Sequence, residues 1–229
     1  MLNYELDPAV LAPRVPPGTE LDLFHGKAFV SVVGFRFLST RVLGIPVPFH
    51  RDFEEVNLRF YVRRSENPVT KRGVVFIQEI VPRRAIAAVA RLAYNENYRR
   101  LPMDHAIQHG NVDGSPRLSV EYRWRLDRRW NRIQVQAVGE PHDIAAGSAE
   151  EFITEHYWGY AAQRDGGSME YQVSHPRWRV WDVVNSALDV DAERLYGTDF
   201  ARALKGPPVS AFLADGSPVT VYAGNFLAL

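Results

Sequence analysis

The stretch Phe53-Glu54-Glu55-Val56-Asn57-Leu58-Arg59-Phe60-Tyr61-Val62-Arg63-Arg64 alternates apolar and polar residues over most of its length. In an extended chain successive side chains point to opposite faces, so Val56, Leu58, Phe60 and Val62 share one face. Glu55, Asn57, Arg59, Tyr61 and Arg63 share the other. Such a strand has one face made for a core. Its polar face is either a solvated surface or the lining of a polar interior.

Working outward, the same signal recurs. Glu20 to Phe24 and Lys27 to Leu38 read as strands around the turn His25-Gly26. Gly73 to Val81 is another strand, stopped by Pro82. Arg117 to Leu126 and Asn131 to Val138 alternate as a hairpin. Leu118, Val120, Tyr122, Trp124 and Leu126 would face inward, with Ile133, Val135 and Ala137 opposite. Asp165-Gly166-Gly167 is a hairpin-type turn before a strand from Met169 to Val173. Trp178 to Trp181, Pro208 to Leu213 and Pro218 to Tyr222 read as short strands.

Helices are few. Asp7-Pro8 is a helix start. Arg84 to Tyr94 reads as a helix apolar on nearly every side, hence buried. Ser148-Ala149-Glu150-Glu151 is a capping box opening a helix to about Trp158. Ala192 to Leu195 and Thr198 to Leu204 carry weaker helical signals. Many strands at short spacing with little helix to cover them predict an α+β fold, mainly antiparallel β. No linker composition, internal repeat or low-complexity tract divides residues 1–229, so one domain is expected.

Composition narrows the function classes. Lys plus Arg equals Asp plus Glu, so the net charge of zero gives no general attraction to nucleic acid or an anionic membrane. The Arg and Trp of Arg123-Trp124-Arg125 follow from strand alternation and need no stacked base. There is no cysteine, which removes disulfides, thiolate catalysis and Cys-based metal sites. No signal-peptide pattern opens the sequence, and no apolar run reaches the roughly 20 residues that span a bilayer. A soluble cytoplasmic protein is the expectation, with a homo-oligomer compatible. No cofactor motif is visible: there is no Gly-rich phosphate loop and no Gly-x-Ser-x-Gly elbow.

Several strings, in this order, resemble the DUF2071 (YqjF-like) family of the acetoacetate decarboxylase-like superfamily. They are Pro16-Pro17-Gly18-Thr19-Glu20-Leu21-Asp22, Phe53 through Val62, Gly73-Val74-Val75-Phe76, Tyr98-Arg99-Arg100-Leu101-Pro102-Met103 and Gly216-Ser217-Pro218-Val219. The resemblance implies a bacterial protein with a curved sheet or barrel and a few peripheral or buried helices. It also implies a small-molecule site. The decarboxylases place two adjacent lysines where this sequence has Arg99-Arg100, and one of them forms an imine with the substrate ketone. An arginine stays protonated and cannot supply a neutral amine. Imine-forming decarboxylation is therefore not expected.

The resemblance places a pocket carboxylate at Glu55. Glu55, Asn57, Arg59, Tyr61, Tyr98, Arg99, Arg100 and His156 are the candidate ligand-binding residues, with Arg99 or Arg100 expected to pair with Glu55 and hold a ligand carboxylate. His156 is the candidate general base outside that strand. His105 and His109, at i and i+4, have the spacing of a helical metal pair; Asp104 and Asn111 are the only further ligands on offer, four-ligand closure is not visible, and no metal is assigned. The expected function is binding, or transformation, of a small organic acid or carbonyl compound. The alternative is a sensor or scaffold that kept the fold without a reaction.

Overall fold

The computed structural model describes residues 1–42, 45–46, 52–82 and 97–227. Among these the strands, in chain order, are β1 (Leu2–Leu6), β2 (Glu20–Leu21), β3 (Ala28–Phe37), β4 (Arg41–Val42), β5 (Ile45–Pro46), β6 (Phe53–Glu66), β7 (Val69–Val81), β8 (Tyr98–Arg100) and β9 (Met103–Val112). They continue as β10 (Ser115–Leu126), β11 (Arg129–Asp143), β12 (Trp158–Ala162), β13 (Ser168–Ser174), β14 (Arg179–Asp189), β15 (Ser210–Ala214), β16 (Thr220–Val221) and β17 (Asn225–Leu227). All but β4 and β5 join a 15-stranded sheet in the order β16-β13-β12-β7-β6-β3-β1-β15-β14-β11-β10-β9, with β17, β2 and β8 on side branches. Pairing is antiparallel except where β7 meets β12 and β8. The expected curved, mainly antiparallel sheet is present.

The sheet curls because one face must be buried and helices are too short to cover it. Val56, Leu58, Phe60 and Val62 of β6 pack in one core with Val120, Tyr122, Trp124, Leu126, Ile133 and Val135 of β10 and β11. Glycine makes the close approach: a Cβ on Gly34 of β3 would lie 2.7 Å from the Tyr122 ring. β9 ends the strand order yet returns to β6, where His105 Nδ1 meets Glu54 Oε1 at 2.7 Å. Helices Ala192–Tyr196 and Thr198–Leu204 add Leu195, Phe200 and Leu204 to the same core.

Several expectations change. The helix expected over Arg84 to Tyr94 lies outside the described residues. The Ser148 cap forms, with the Glu151 amide donating to Ser148 Oγ at 3.2 Å, but the helix stops at Thr154. Trp158 onward is strand instead, because its backbone is taken up by β7 and β13. His105 and His109 lie on β9, paired along its length with β10, not on a helix. Four residues of strand span about 13 Å, too far for two imidazoles to share one metal. Among the described residues no group of three or more His, Asp or Glu side chains gathers to hold a metal ion, and no helix is long and apolar enough to cross a membrane.

Candidate functional site

The polar face of β6 is buried at Glu55, Asn57 and Tyr61, half-buried at Arg59 and exposed at Arg63. Glu55 and Asn57 are each 2% exposed, although they lie on the face opposite the large apolar core. The register explains how that face is assembled. Asn57 is opposite Glu79 on β7, and Glu79 is opposite Tyr98 on β8. Directly paired residues share a face, so these three side chains form a row beside Glu55.

The row is hydrogen-bonded. Asn57 Nδ2 donates to Glu55 Oε1 at 3.0 Å, and the Tyr98 hydroxyl donates to Glu55 Oε2 at 3.4 Å. Tyr98 also bonds Glu79. Burial, together with these carboxylates, pushes the Tyr98 hydroxyl well above its ordinary value, so it stays a donor. Burial likewise raises the Glu55 carboxyl to about 7, although Asn57, Tyr98 and the charge of Arg59 all favour its ionised form. A carboxyl poised there can give or take a proton near neutrality.

Two residues along β6 from Asn57, Arg59 is the cation of this face. Its Nη2 donates to the Ile153 carbonyl at 3.3 Å, and its guanidinium lies 5.7 Å from the Tyr61 ring centroid. Among the described residues its buried Nε has no hydrogen-bond partner, and no carboxylate lies within ion-pairing distance. The β6–β7 register shifts between Leu58 and Arg59, an irregularity of the kind that re-aims side chains beside functional sites.

Beyond Arg59 the face becomes aromatic. Phe152, from the helix Ala149–Thr154, packs on Tyr61 with ring centroids 5.3 Å apart. His156 follows that helix and sits 4.8 Å from Tyr61. Its Nε2 bonds Asp22 Oδ2 at 3.1 Å, while Arg72 Nε donates to the same oxygen at 2.6 Å. Burial would raise the Asp22 carboxyl, but the bonds from His156 and Arg72 and the Arg72 charge bring it below its usual value. Burial lowers His156 to about 4 against the pull of Asp22, with the Arg72 and Arg59 charges lowering it further. The Tyr61 hydroxyl meets Ser31 Oγ at 2.6 Å, and Ser31 donates to Asn3 Oδ1 at 2.6 Å.

The expected pairing of Arg99 or Arg100 with Glu55 does not occur. Tyr98, Arg99 and Arg100 form a strand, so Arg99 points to the face opposite Tyr98. Arg100 is exposed and donates to the Pro82 carbonyl at 3.3 Å. Arg99 lies toward Asp127, whose carboxyl its charge helps to lower. Arg59 takes the place expected of them. Sequence reading also passed over Glu79, Asp22 and Arg72. Glu79 carried a signal, being an acid beside Gln78 in the largely apolar run from Val74 to Val81; Asp22 stood in a family-like string without a role, and Arg72 carried no signal. Two open clefts, of about 460 and 380 Å³, lie elsewhere, one by Tyr4 and Lys205, the other by Arg14 and Tyr196.

The DUF2071 family profile, described as an uncharacterized conserved protein, matches residues 1–218. The chain belongs to the DUF2071 family. It is 25% identical over 189 residues to the uncharacterized protein YqjF of Bacillus subtilis (strain 168), covering 82% of this chain and 73% of that protein. Among solved structures it is similar to acetoacetate decarboxylase from Legionella pneumophila, with TM-score 0.63 and 14% identity over 99% of this chain and 83% of the other. It is also similar to the enduracididine biosynthesis enzyme MppR complexed with pyruvate, with TM-score 0.65 and 12% identity over 99% and 86%. An acetoacetate decarboxylase-like enzyme from Sphingomonas wittichii RW1 matches with TM-score 0.60 and 14% identity over 96% and 84%. At these identities the likeness establishes the fold.

Proposed function

We propose that this protein binds a small organic acid, or a carbonyl compound bearing a carboxylate, on the buried face built by Glu55, Asn57, Arg59, Tyr61, Tyr98 and His156. The observation that carries the reading is Arg59. It is a guanidinium on a buried face with no carboxylate at ion-pairing distance among the described residues. Arg59 is half-buried, and its Nε is shut off from solvent and unpaired among the described residues; a buried donor without an acceptor is costly, and an anionic ligand supplies the acceptor. Glu55, holding its proton near neutrality, is the group that would exchange a proton with the ligand. That a fold neighbour, MppR, is complexed with pyruvate agrees with a ligand of this size and class.

Imine chemistry has no lysine on this face. The chain has three lysines. Lys27 is paired with Glu5 and largely exposed, Lys71 is held by Glu66 and Glu170, and Lys205 lines an outer cleft. This favours the alternative of a non-catalytic sensor as far as imine-dependent reactions go. Calorimetric titration with a panel of small carboxylates, followed by turnover assays on each compound that binds, tests both. Arg59→Gln should weaken carboxylate binding by about 1.5–3 kcal/mol, the worth of a charge-assisted hydrogen bond. Arg99→Ala and Arg100→Ala should leave it unchanged. Loss of binding in the latter pair with retention in Arg59→Gln would overturn the assignment. Binding without turnover across the panel would identify a sensor.

A further inference from the structure

The ligand's chemistry is narrowed further by two buried atoms. The Nε of Arg59 and the Nδ1 of His156 have no hydrogen-bond partner among the described residues. Their roles are fixed by what surrounds them. An arginine Nε carries hydrogen at every accessible pH, so it is a donor. His156 is neutral, and its Nε2 faces the ionised Asp22 carboxylate, so Nε2 holds the ring proton. Nδ1 is then a bare acceptor. The His156 side chain is 1% exposed, so that lone pair is not met by bulk solvent. Both groups lie against the Tyr61 ring, and Arg59 bonds the carbonyl of Ile153, three residues before His156. Asn57 does not enter the comparison, because its amide offers a donor or an acceptor by rotation.

We propose that this face selects a hydroxy acid over the matching keto acid, its carboxylate accepting from Arg59 and its hydroxyl donating to His156 Nδ1. The inference rests on the carboxylate-binding reading above and deepens it. A keto oxygen brought to Nδ1 sets two acceptors against each other and leaves the lone pair unmet. A site with a buried polar group discriminates strongly against an analogue that cannot pair with it. An amino acid also carries a donor beside its carboxylate. The charges of Arg59 and Arg72, which already disfavour a proton on His156, disfavour an ammonium group there as well.

The test uses matched probes: pyruvate, both enantiomers of lactate, alanine, acetoacetate and 3-hydroxybutyrate, titrated calorimetrically into the full chain. At least one hydroxy acid should bind roughly five- to tenfold tighter than its keto partner, the worth of one hydrogen bond. His156→Phe should bring the hydroxy-to-keto affinity ratio down to about one. Because His156→Phe removes a partner of Asp22, the wild-type protein supplies a second readout. The ¹⁵N resonance of His156 Nδ1 should move upfield on adding the preferred hydroxy acid and stay in place with the keto acid. Keto acids binding as well as hydroxy acids, or alanine binding best, would overturn the inference. The carboxylate reading would survive either result if Arg59→Gln still weakened binding of the compounds that do bind. An unmoved Nδ1 resonance while the hydroxy acid binds also overturns it. If no probe binds the wild-type protein, the carboxylate reading itself falls.

Discussion

Glu55 and His156 stand on the same buried face and have moved in opposite directions, and this makes their linkage to stability separable. The Glu55 carboxyl is higher in the folded protein, about 7 against 4.5. Its contribution is fully present below 4.5 and is lost as pH rises toward 7. The His156 imidazole is lower, about 4 against 6.5. Its contribution is fully present above 6.5 and is lost as pH falls toward 4. Between pH 4.5 and 6.5 the two slopes oppose each other, each on the order of 1 kcal/mol per pH unit. Urea denaturation across that window should therefore show stability rising with pH in Glu55→Gln. It should fall with pH in His156→Phe. Parallel profiles in the two variants would show that these groups do not titrate as their surroundings dictate. Neither shift was legible in the sequence. Glu55 and His156 lie far apart along the chain, and burial, the largest cause of both shifts, is set by the tertiary packing.

At the scale of elements, strand alternation was read correctly where one face had to be apolar. Val120, Tyr122, Trp124, Leu126, Ile133, Val135 and Ala137 are all buried. It was missed where neither face carries a regular apolar stripe, as in β9, where His105-Ala106-Ile107-Gln108-His109 fits a helix as readily. Pairing with β10 settled it. The helix after Ser148 was read too long for a related reason: a cap marks a start, while the end was set by β12 joining β7. β12 also holds a tight contact. Gly159 is directly opposite Tyr171, and the phenol ring occupies the space a Cβ would need. Gly159→Ala should lower stability by about 1–3 kcal/mol, the cost of overpacking. Chemical denaturation checks this, and an unaffected midpoint would mean that the ring moves aside freely.

For the whole molecule, the curl of the sheet decides which chemistry is available. All three lysines lie away from the Glu55 face, so acetoacetate with borohydride should leave no lysine adduct by mass spectrometry. A trapped adduct would refute the absence of imine chemistry. The sequence by itself determined the periods: which residues of β6 share a face, where the hairpin of β10 and β11 runs, and that Arg99-Arg100 lacks a neutral amine. Those are local consequences of side-chain chemistry and of the two-residue repeat of an extended chain. Only the tertiary structure decided that the polar face of β6 is buried and that Arg59 is its cation in place of Arg99 or Arg100. It alone brought Asp22, Arg72 and His156 together. Strand order and register bring residues distant in sequence side by side, and no local pattern encodes which strand becomes whose neighbour.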